Sequence, residues 1–256
     1  MTALLSEANL AKLNSLTKYP SIVTYHALGE KGRLLDTVLV PFDGDVILTE
    51  KIDGTNARLI CTPEGVLVGS REDLLWATGD LIHNPAMGIV AAVRDQARAL
   101  ASHLPSEALL VIYGEVYGRS VGAGAKNYTS TGKVGFRVFD AFEMPLEAVF
   151  VQLERPAERI SLWRENGGQP FLRVAALDAL ALERGFERVP TLGTVAAAMM
   201  PRSLTDAAAF LEPYSKTMAP LDEASLGHAE GVVARSADRR QIAKLRFEDY
   251  RRTLKW

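Results

Sequence analysis

The stretch of this chain best equipped for chemistry is Glu50-Lys51-Ile52-Asp53-Gly54-Thr55-Asn56. It follows Val46-Ile47-Leu48-Thr49, an apolar, β-branched run with the pattern of a strand. A strand that ends in a lysine presents a primary amine on a rigid scaffold. Such an amine is a nucleophile only without its proton, and an ordinary lysine, with a pKa of about 10.4, keeps that proton at neutral pH. Burial or neighbouring cations would have to favour the neutral form. Asp53 supplies a carboxylate two residues on, and Gly54 lets the backbone turn or approach a ligand closely. Lys-x-Asp-Gly also occurs in plain surface turns, so the meaning of Lys51 depends on what else the fold brings to it.

Further candidates recur along the chain. Arg71 follows the run Val66-Leu67-Val68-Gly69-Ser70, and a guanidinium there could bind phosphate bidentately. Glu115 follows Leu109-Leu110-Val111-Ile112-Tyr113-Gly114 directly, so it stands at the rim of a core as a candidate ligand for a ribose hydroxyl or a metal. In Phe136-Arg137-Val138-Phe139-Asp140, a period of two puts Phe136, Val138 and Asp140 on one face and Arg137 and Phe139 on the other. One phenylalanine suits a core; the other suits a platform for a purine, where stacking is worth about 1–3 kcal/mol. Glu230 opens the strand-like Gly231-Val232-Val233-Ala234-Arg235. In Gln241 to Phe247 the same alternation puts Lys244 and Arg246 together, two cations suited to phosphates and to favouring a neutral lysine nearby. Gly118 to Lys126 is glycine-rich and carries two cations, but matches neither the P-loop nor the dinucleotide fingerprint; it reads as a connector first and a phosphate or nucleic-acid contact second.

The elements that must position these residues follow from the patterning. Ser6 is placed to cap a short helix to about Leu16, which Pro20 ends. Leu34 to Val40 predicts a strand, and Pro41-Phe42-Asp43-Gly44 a turn. Ala57 to Cys61 and Val66 to Ser70 flank Thr62-Pro63-Glu64-Gly65 as a hairpin, a register that returns Arg71 opposite Asn56. A helix is expected over Ala86 to Leu104 after Asn84-Pro85, with Ile89, Val90, Val93, Ala97 and Leu100 facing a core. Residues 145–228 carry weaker signals: a helix from Ala176 to Arg184 closed by Gly185, a short strand at Val189 to Gly193, and a helix capped by Ser203. These helices are expected on the outside of the sheets.

Composition excludes several classes. With 256 residues, 48% hydrophobic, the chain can bury a full core. A net charge of −2 gives no global field for nucleic acid, so such a role would need a local basic surface. A single cysteine, Cys61, rules out an intrachain disulfide and fits a reducing cytoplasmic location. The four histidines are scattered, and no Cys/His cluster suggests zinc. The first residues lack a signal-peptide pattern, and no apolar run nears the roughly 18 residues of a membrane span.

Together the motifs resemble the covalent nucleotidyltransferase superfamily of ATP-dependent DNA ligases, RNA ligases and mRNA-capping enzymes. Lys51 to Asn56 is similar to the first motif, whose lysine accepts the nucleotide, and Ser70-Arg71 to the phosphate-binding arginine after it. Tyr113-Gly114-Glu115 resembles the third motif, whose glutamate contacts ribose. Phe136 falls where the next motif carries its base-stacking aromatic. Glu230-Gly231-Val232-Val233 resembles the fourth, whose glutamate helps hold the metal. Lys244-Leu245-Arg246 resembles the fifth, with an arginine where a second lysine is usual. Glu50-Lys51 with Gly54-Thr55-Asn56, and the opening Lys18-Tyr19-Pro20-Ser21-Ile22, resemble the RNA ligase branch best.

The resemblance implies an α+β, ATP-grasp-like adenylation domain: two antiparallel sheets with flanking helices and a nucleotide cleft between them. It implies ATP as donor, magnesium or manganese held by Glu230 and Glu115, and AMP carried on Lys51. Glu50, Ile52, Asp53, Asn56, Arg71, Glu115, Phe136, Lys244 and Arg246 would line the nucleotide site. The expected substrate is RNA with 5′-phosphate and 3′-hydroxyl ends; the rival expectations are a minimal DNA ligase, a GTP-dependent capping-type enzyme, or a binding module without turnover. Only ten residues follow Arg246. The expectation is therefore a single catalytic domain over 1–256, with no C-terminal OB-fold or helical domain and room for a protein partner to supply one.

Overall fold

The computed structural model describes residues 4–77, 80–81, 88–119, 121–122, 124–225 and 227–255. Two antiparallel sheets carry the site. The smaller has the order β10 (Thr191–Ala196), β3 (Asp45–Lys51), β11 (Gly231–Arg235), β12 (Ile242–Arg246). The larger runs β7 (Asp80–Leu81), β6 (Leu74–Ala77), β5 (Gly65–Ser70), β4 (Thr55–Thr62), β8 (Ala108–Gly118), β9 (Val134–Pro145). A ribbon of β1 (His26–Leu28) and β2 (Leu34–Val38) pairs with neither sheet but packs Leu34 and Val38 into the core of the smaller one. Only Ile52-Asp53-Gly54 separates β3 from β4, so the lysine motif is the crossover from one sheet to the other.

Each sheet buries apolar faces against helices. The helix expected over Ala86 to Leu104 forms as α2 (Ile89–Leu100), and all five stripe residues are buried; Asn84 to Met87 lie outside the described residues. The stripe packs on Ala57, Leu59, Val66 and Val68 of the larger sheet. Fully burying an aliphatic side chain contributes about 1.5–3 kcal/mol, so this face is a principal anchor of the fold. The opposite face packs on α1 (Glu7–Thr17), α3 (Leu146–Leu153) and α4 (Ala157–Glu165). The smaller sheet buries Val46, Leu48, Val232, Ala234, Ala243 and Leu245 against α6 (Leu204–Leu211) and α7 (Phe247–Leu254).

Several expectations need correction. Ser6 stands at the N-cap of α1, but its hydroxyl makes no capping bond. Ser203 does cap α6, accepting from the Asp206 N–H at 3.1 Å. The helices α3, α4 and α7 carry no decisive sequence signal; α7 begins inside the stretch Gln241 to Phe247 that alternation assigns wholly to a strand. The strand through Leu109 to Tyr113 does not stop there. β8 continues to Gly118, so Glu115 lies within a strand, paired with Asn56 on β4 and Arg137 on β9. The pairing of β8 with β9 shifts between Tyr113 and Gly114: Val138 faces Gly114, Asp140 faces Tyr113, and Phe139 is the extra residue of a bulge. The bulge reverses the alternation. Phe136 and Val138 point into the α2 side, whereas Asp140 and Phe142 belong to the opposite face.

Candidate active site

A cleft of about 410 Å³ lies between the sheets. Its first wall is the smaller sheet. The registers Lys51–Gly231–Arg246 and Thr49–Val233–Lys244 place these side chains on one face, while the intervening residues fill the core. Lys51, Thr49, Val233, Arg235, Ile242, Lys244 and Arg246 all line the cleft. A Cβ on Gly231 would collide with the Leu245 carbonyl, so glycine is required for β11 and β12 to pair this closely. The Lys51 Nζ makes an ion pair of 2.5 Å with Glu230 Oε2, both side chains about a quarter exposed (26% and 22%). Exposure at this level lets a ligand reach either partner.

The second wall comes from the larger sheet. Asn56, Glu115 and Phe139 line it, with Tyr19, Pro20 and Ile22 from the segment after α1. Asn56 Oδ1 is buried and has no hydrogen-bond partner among the described residues. Burial pushes the Glu115 carboxyl up to about 8; Lys51 opposes this, and the carboxylates of Glu230 and Asp53 add to it. Burial also lowers Lys244 from the ordinary lysine value, and the cations Arg246, Lys51 and Arg71 reinforce the shift. One end of the cleft is thus cationic, with two carboxylates close to the lysine.

No group of three or more His, Cys, Asp or Glu side chains suited to a metal exists among the described residues. Glu230 and Glu115 still fit a hard divalent cation. They are oxygen donors, and magnesium is commonly held by one or two carboxylates with substrate phosphates completing its shell. Both line the cleft, and the Glu230 carboxylate adds to the upward shift that burial imposes on Glu115. A second hollow, of about 430 Å³, lies on α4 beside Arg155, Arg159 and Trp163; no carboxylate or lysine lines it.

A model of the RNA ligase family matches residues 44–256. The chain belongs to the RNA ligase family. Among solved structures it is similar to a Naegleria gruberi RNA ligase with pyrophosphate, at 13% identity and a TM-score of 0.57, over 93% of this chain and 58% of that one. A lysine-to-alanine mutant of that ligase with ATP and manganese matches at 14% identity and a TM-score of 0.55, over 92% and 61%. An archaeal ATP-dependent RNA ligase matches at 19% identity and a TM-score of 0.55, over 91% and 49%. At these identities the likeness is one of fold. The chain spans about half to three fifths of the length of these ligases. No curated protein sequence matches it.

Within this RNA ligase fold, most residues singled out from sequence meet at the cleft. Glu50, Lys51, Ile52, Asp53, Asn56, Arg71, Glu115, Glu230, Lys244 and Arg246 all line it. Their environments differ. Glu50 is only 2% exposed and accepts from the Thr217 hydroxyl at 2.5 Å and the Met218 N–H at 2.7 Å. Its bonds thus tie β3 to the 217–218 segment. Ile52 is buried with Tyr117, Tyr128 and Val189, and the Asp53 N–H donates to the Tyr128 hydroxyl at 2.8 Å. Arg71 is 62% exposed at the cleft mouth. Arg246 shares the cleft face with Lys244 as its alternation predicts, but its guanidinium is not free. It forks onto Asp249 of α7 with two bonds of 2.8 Å, so that Lys244 is the cation of this face without a carboxylate partner among the described residues.

Phe136 is the clear correction. It is absent from the cleft lining and packs against Phe186 on the α2 side, centroids 6.0 Å apart. Phe139 takes the cleft position because it is the bulged residue. No local sequence signal marks that bulge. Two further residues of the lining were given no site role from the sequence. Arg235 lies on the Val233 face, which alternation alone could have indicated. Tyr19 reaches the site only through the tertiary path of the segment after α1, where its ring meets Phe139 edge-on at 5.0 Å.

Proposed function

We propose that this chain is an ATP-dependent RNA ligase that carries AMP on Lys51 and joins 5′-phosphate and 3′-hydroxyl RNA ends. The observation that carries the reading is the convergence of Lys51, Glu230 and Lys244 at one end of a cleft whose opposite wall presents Phe139. The base would lie between Phe139 and Val233, and Asn56 Oδ1, buried and without a partner among the described residues, offers an acceptor to a sugar hydroxyl. Glu230 and Glu115 would hold a magnesium or manganese ion, which when bound would offset phosphate charge. Such a ligand on Glu230 competes directly with its ion pair to Lys51.

Lys51 attacks the α-phosphorus of ATP as the free amine, its ammonium proton first given up to solvent as the ion pair with Glu230 is broken by the incoming ligand. A P–N bond forms as the bond from that phosphorus to the pyrophosphate oxygen breaks. Lys244 and the forked Arg246 face the charge that develops on the phosphates. A 5′-phosphate oxygen of RNA then displaces the Lys51 nitrogen, which recovers a proton. A 3′-hydroxyl finally attacks that 5′-phosphate and expels AMP. Asp53 orients the lysine crossover through its backbone bond to Tyr128.

Purified protein is expected to retain label from α-labelled ATP, and Lys51→Ala to retain none. Equal labelling of both removes this nucleophile. Labelling from GTP in place of ATP would favour a capping-type enzyme. Faster sealing of nicked DNA than nicked RNA would favour a DNA ligase. Label that cannot be chased onto 5′-phosphate RNA would favour a binding module or a half-reaction.

A further inference from the structure

The stretch 118–133 holds Arg119, Lys126 and Lys133 and no acidic residue, in a protein of net charge −2. All three cations are exposed, and none makes an ion pair among the described residues. Two of its glycines nevertheless pack against the lysine motif. A Cβ on Gly124 would collide with the Asp53 carboxylate, and one on Gly122 would sit 3.6 Å from it. Gly118 pairs with Val134 at the end of the β8–β9 ribbon, which brings Arg119 and Lys133 to the same end. The chain here also donates three backbone and side-chain bonds of 2.8–2.9 Å from Thr129 and Ser130 to Asp222. Asp53 and Gly54, two and three residues after Lys51, line the cleft, so Gly122 and Gly124 border it, and Arg119 and Lys126 flank those glycines along the chain. The cations themselves lie outside the cleft lining, on the exposed side of this border, where a polynucleotide delivering its end to Lys51 would pass.

We propose that Arg119, Lys126 and Lys133 form the docking rim for the backbone phosphates of the RNA strand, an assignment that rests on the ligase reading for the identity of its ligand. Each phosphate neutralised on a single strand contributes about −0.7 to the slope of log affinity against log salt. The test compares wild type with the triple variant Arg119→Asn, Lys126→Gln, Lys133→Gln; asparagine suits the positive φ of 40° at Arg119. Binding of a fluorescent 5′-phosphate RNA is measured across salt concentrations, and label retention from α-labelled ATP in parallel. The triple variant should bind RNA at least tenfold more weakly, with a shallower salt slope, while labelling as wild type does. The double variant Arg94→Gln, Arg98→Gln, on α2 behind the larger sheet, controls for net charge and should change RNA binding little. Unchanged RNA affinity in the triple variant, or an equal loss per charge in the control, overturns the rim. RNA binding is read without catalysis, so a wild-type protein that takes no label would remove the ligase reading and leave this test standing.

Discussion

The two walls of the cleft are built by different rules. The smaller sheet presents its reactive residues in unbroken alternation, Thr49 and Lys51 beside Val233 beside Lys244 and Arg246, over a core on the other side. The larger sheet is covered by helices on both faces and opens to the cleft only at its Asn56–Glu115 end. It aims its aromatic residue with a bulge. The first wall therefore keeps charged groups near solvent, where they can meet phosphate. The second holds a carboxyl and an aromatic ring at the edge of a buried interior. A phosphate end and a base end result, each made by the sheet suited to it.

A buried network couples the walls. Asp140 on β9 is fully buried and accepts from Arg239, from Arg235 at 3.5 Å and from the Tyr19 hydroxyl at 2.8 Å. Arg239 lies in the β11–β12 connection and stacks 3.4 Å from the Phe171 ring centroid. The hairpin of one sheet is thus clamped to a strand of the other.

The largest expected effect falls on the phosphate end. Lys51→Ala should lower label retention from ATP at least about a thousandfold, because it removes the amine that would carry AMP; thermal melting should stay within a few degrees of wild type. Retained labelling would detach chemistry from this wall. Next is the clamp between the walls. Asp140→Ala leaves two buried guanidiniums without their carboxylate and should cost about 3–5 kcal/mol in denaturant unfolding. A loss below about 1 kcal/mol would mean that the sheets hold together without it.

The base end is tested by a pair of substitutions. Phe139→Ala should raise the KM for ATP in the labelling reaction by roughly 5- to 150-fold, the equivalent of a lost stack of about 1–3 kcal/mol. Phe136→Ala should instead lower stability by about 3 kcal/mol, as a core truncation does, with KM nearly unchanged. The reverse pattern would restore the assignment made from alternation alone.

The smallest effect lies away from both walls, behind the smaller sheet. Burial lowers His26 below the ordinary histidine value of 6.5, against the opposing pull of the Arg202 carbonyl and Asp36. The neutral ring bonds to the Tyr250 hydroxyl at 2.8 Å and to the Arg202 carbonyl at 3.3 Å. The unfolded chain therefore takes up this proton at higher pH than the folded one. The contribution is complete above pH 6.5 and is lost as pH falls through the folded value. Melting temperature should fall more between pH 7.5 and 5 in wild type than in His26→Gln; equal slopes would show that this ring does not titrate with folding.

Sequence alone determined the α2 stripe, the hairpin of β4 and β5, and the common face of Lys244 and Arg246, because each rests on a period that local geometry enforces. It also identified Lys51 and Glu230 as residues worth bringing together, through motifs whose spacing needs no tertiary information. Only the tertiary structure decided which phenylalanine enters the cleft, since one extra residue in β9 turns Phe136 away and Phe139 inward. Only it showed that Arg246 is held by Asp249, because α7, which carries Asp249, takes over from the alternating strand at Phe247. It alone brought Tyr19 to the second wall, across more than a hundred residues of chain from Asp140. Periodicity reports the face on which a side chain lies; partners from distant segments, and the bulge that reverses a face, depend on pairings that no local window contains.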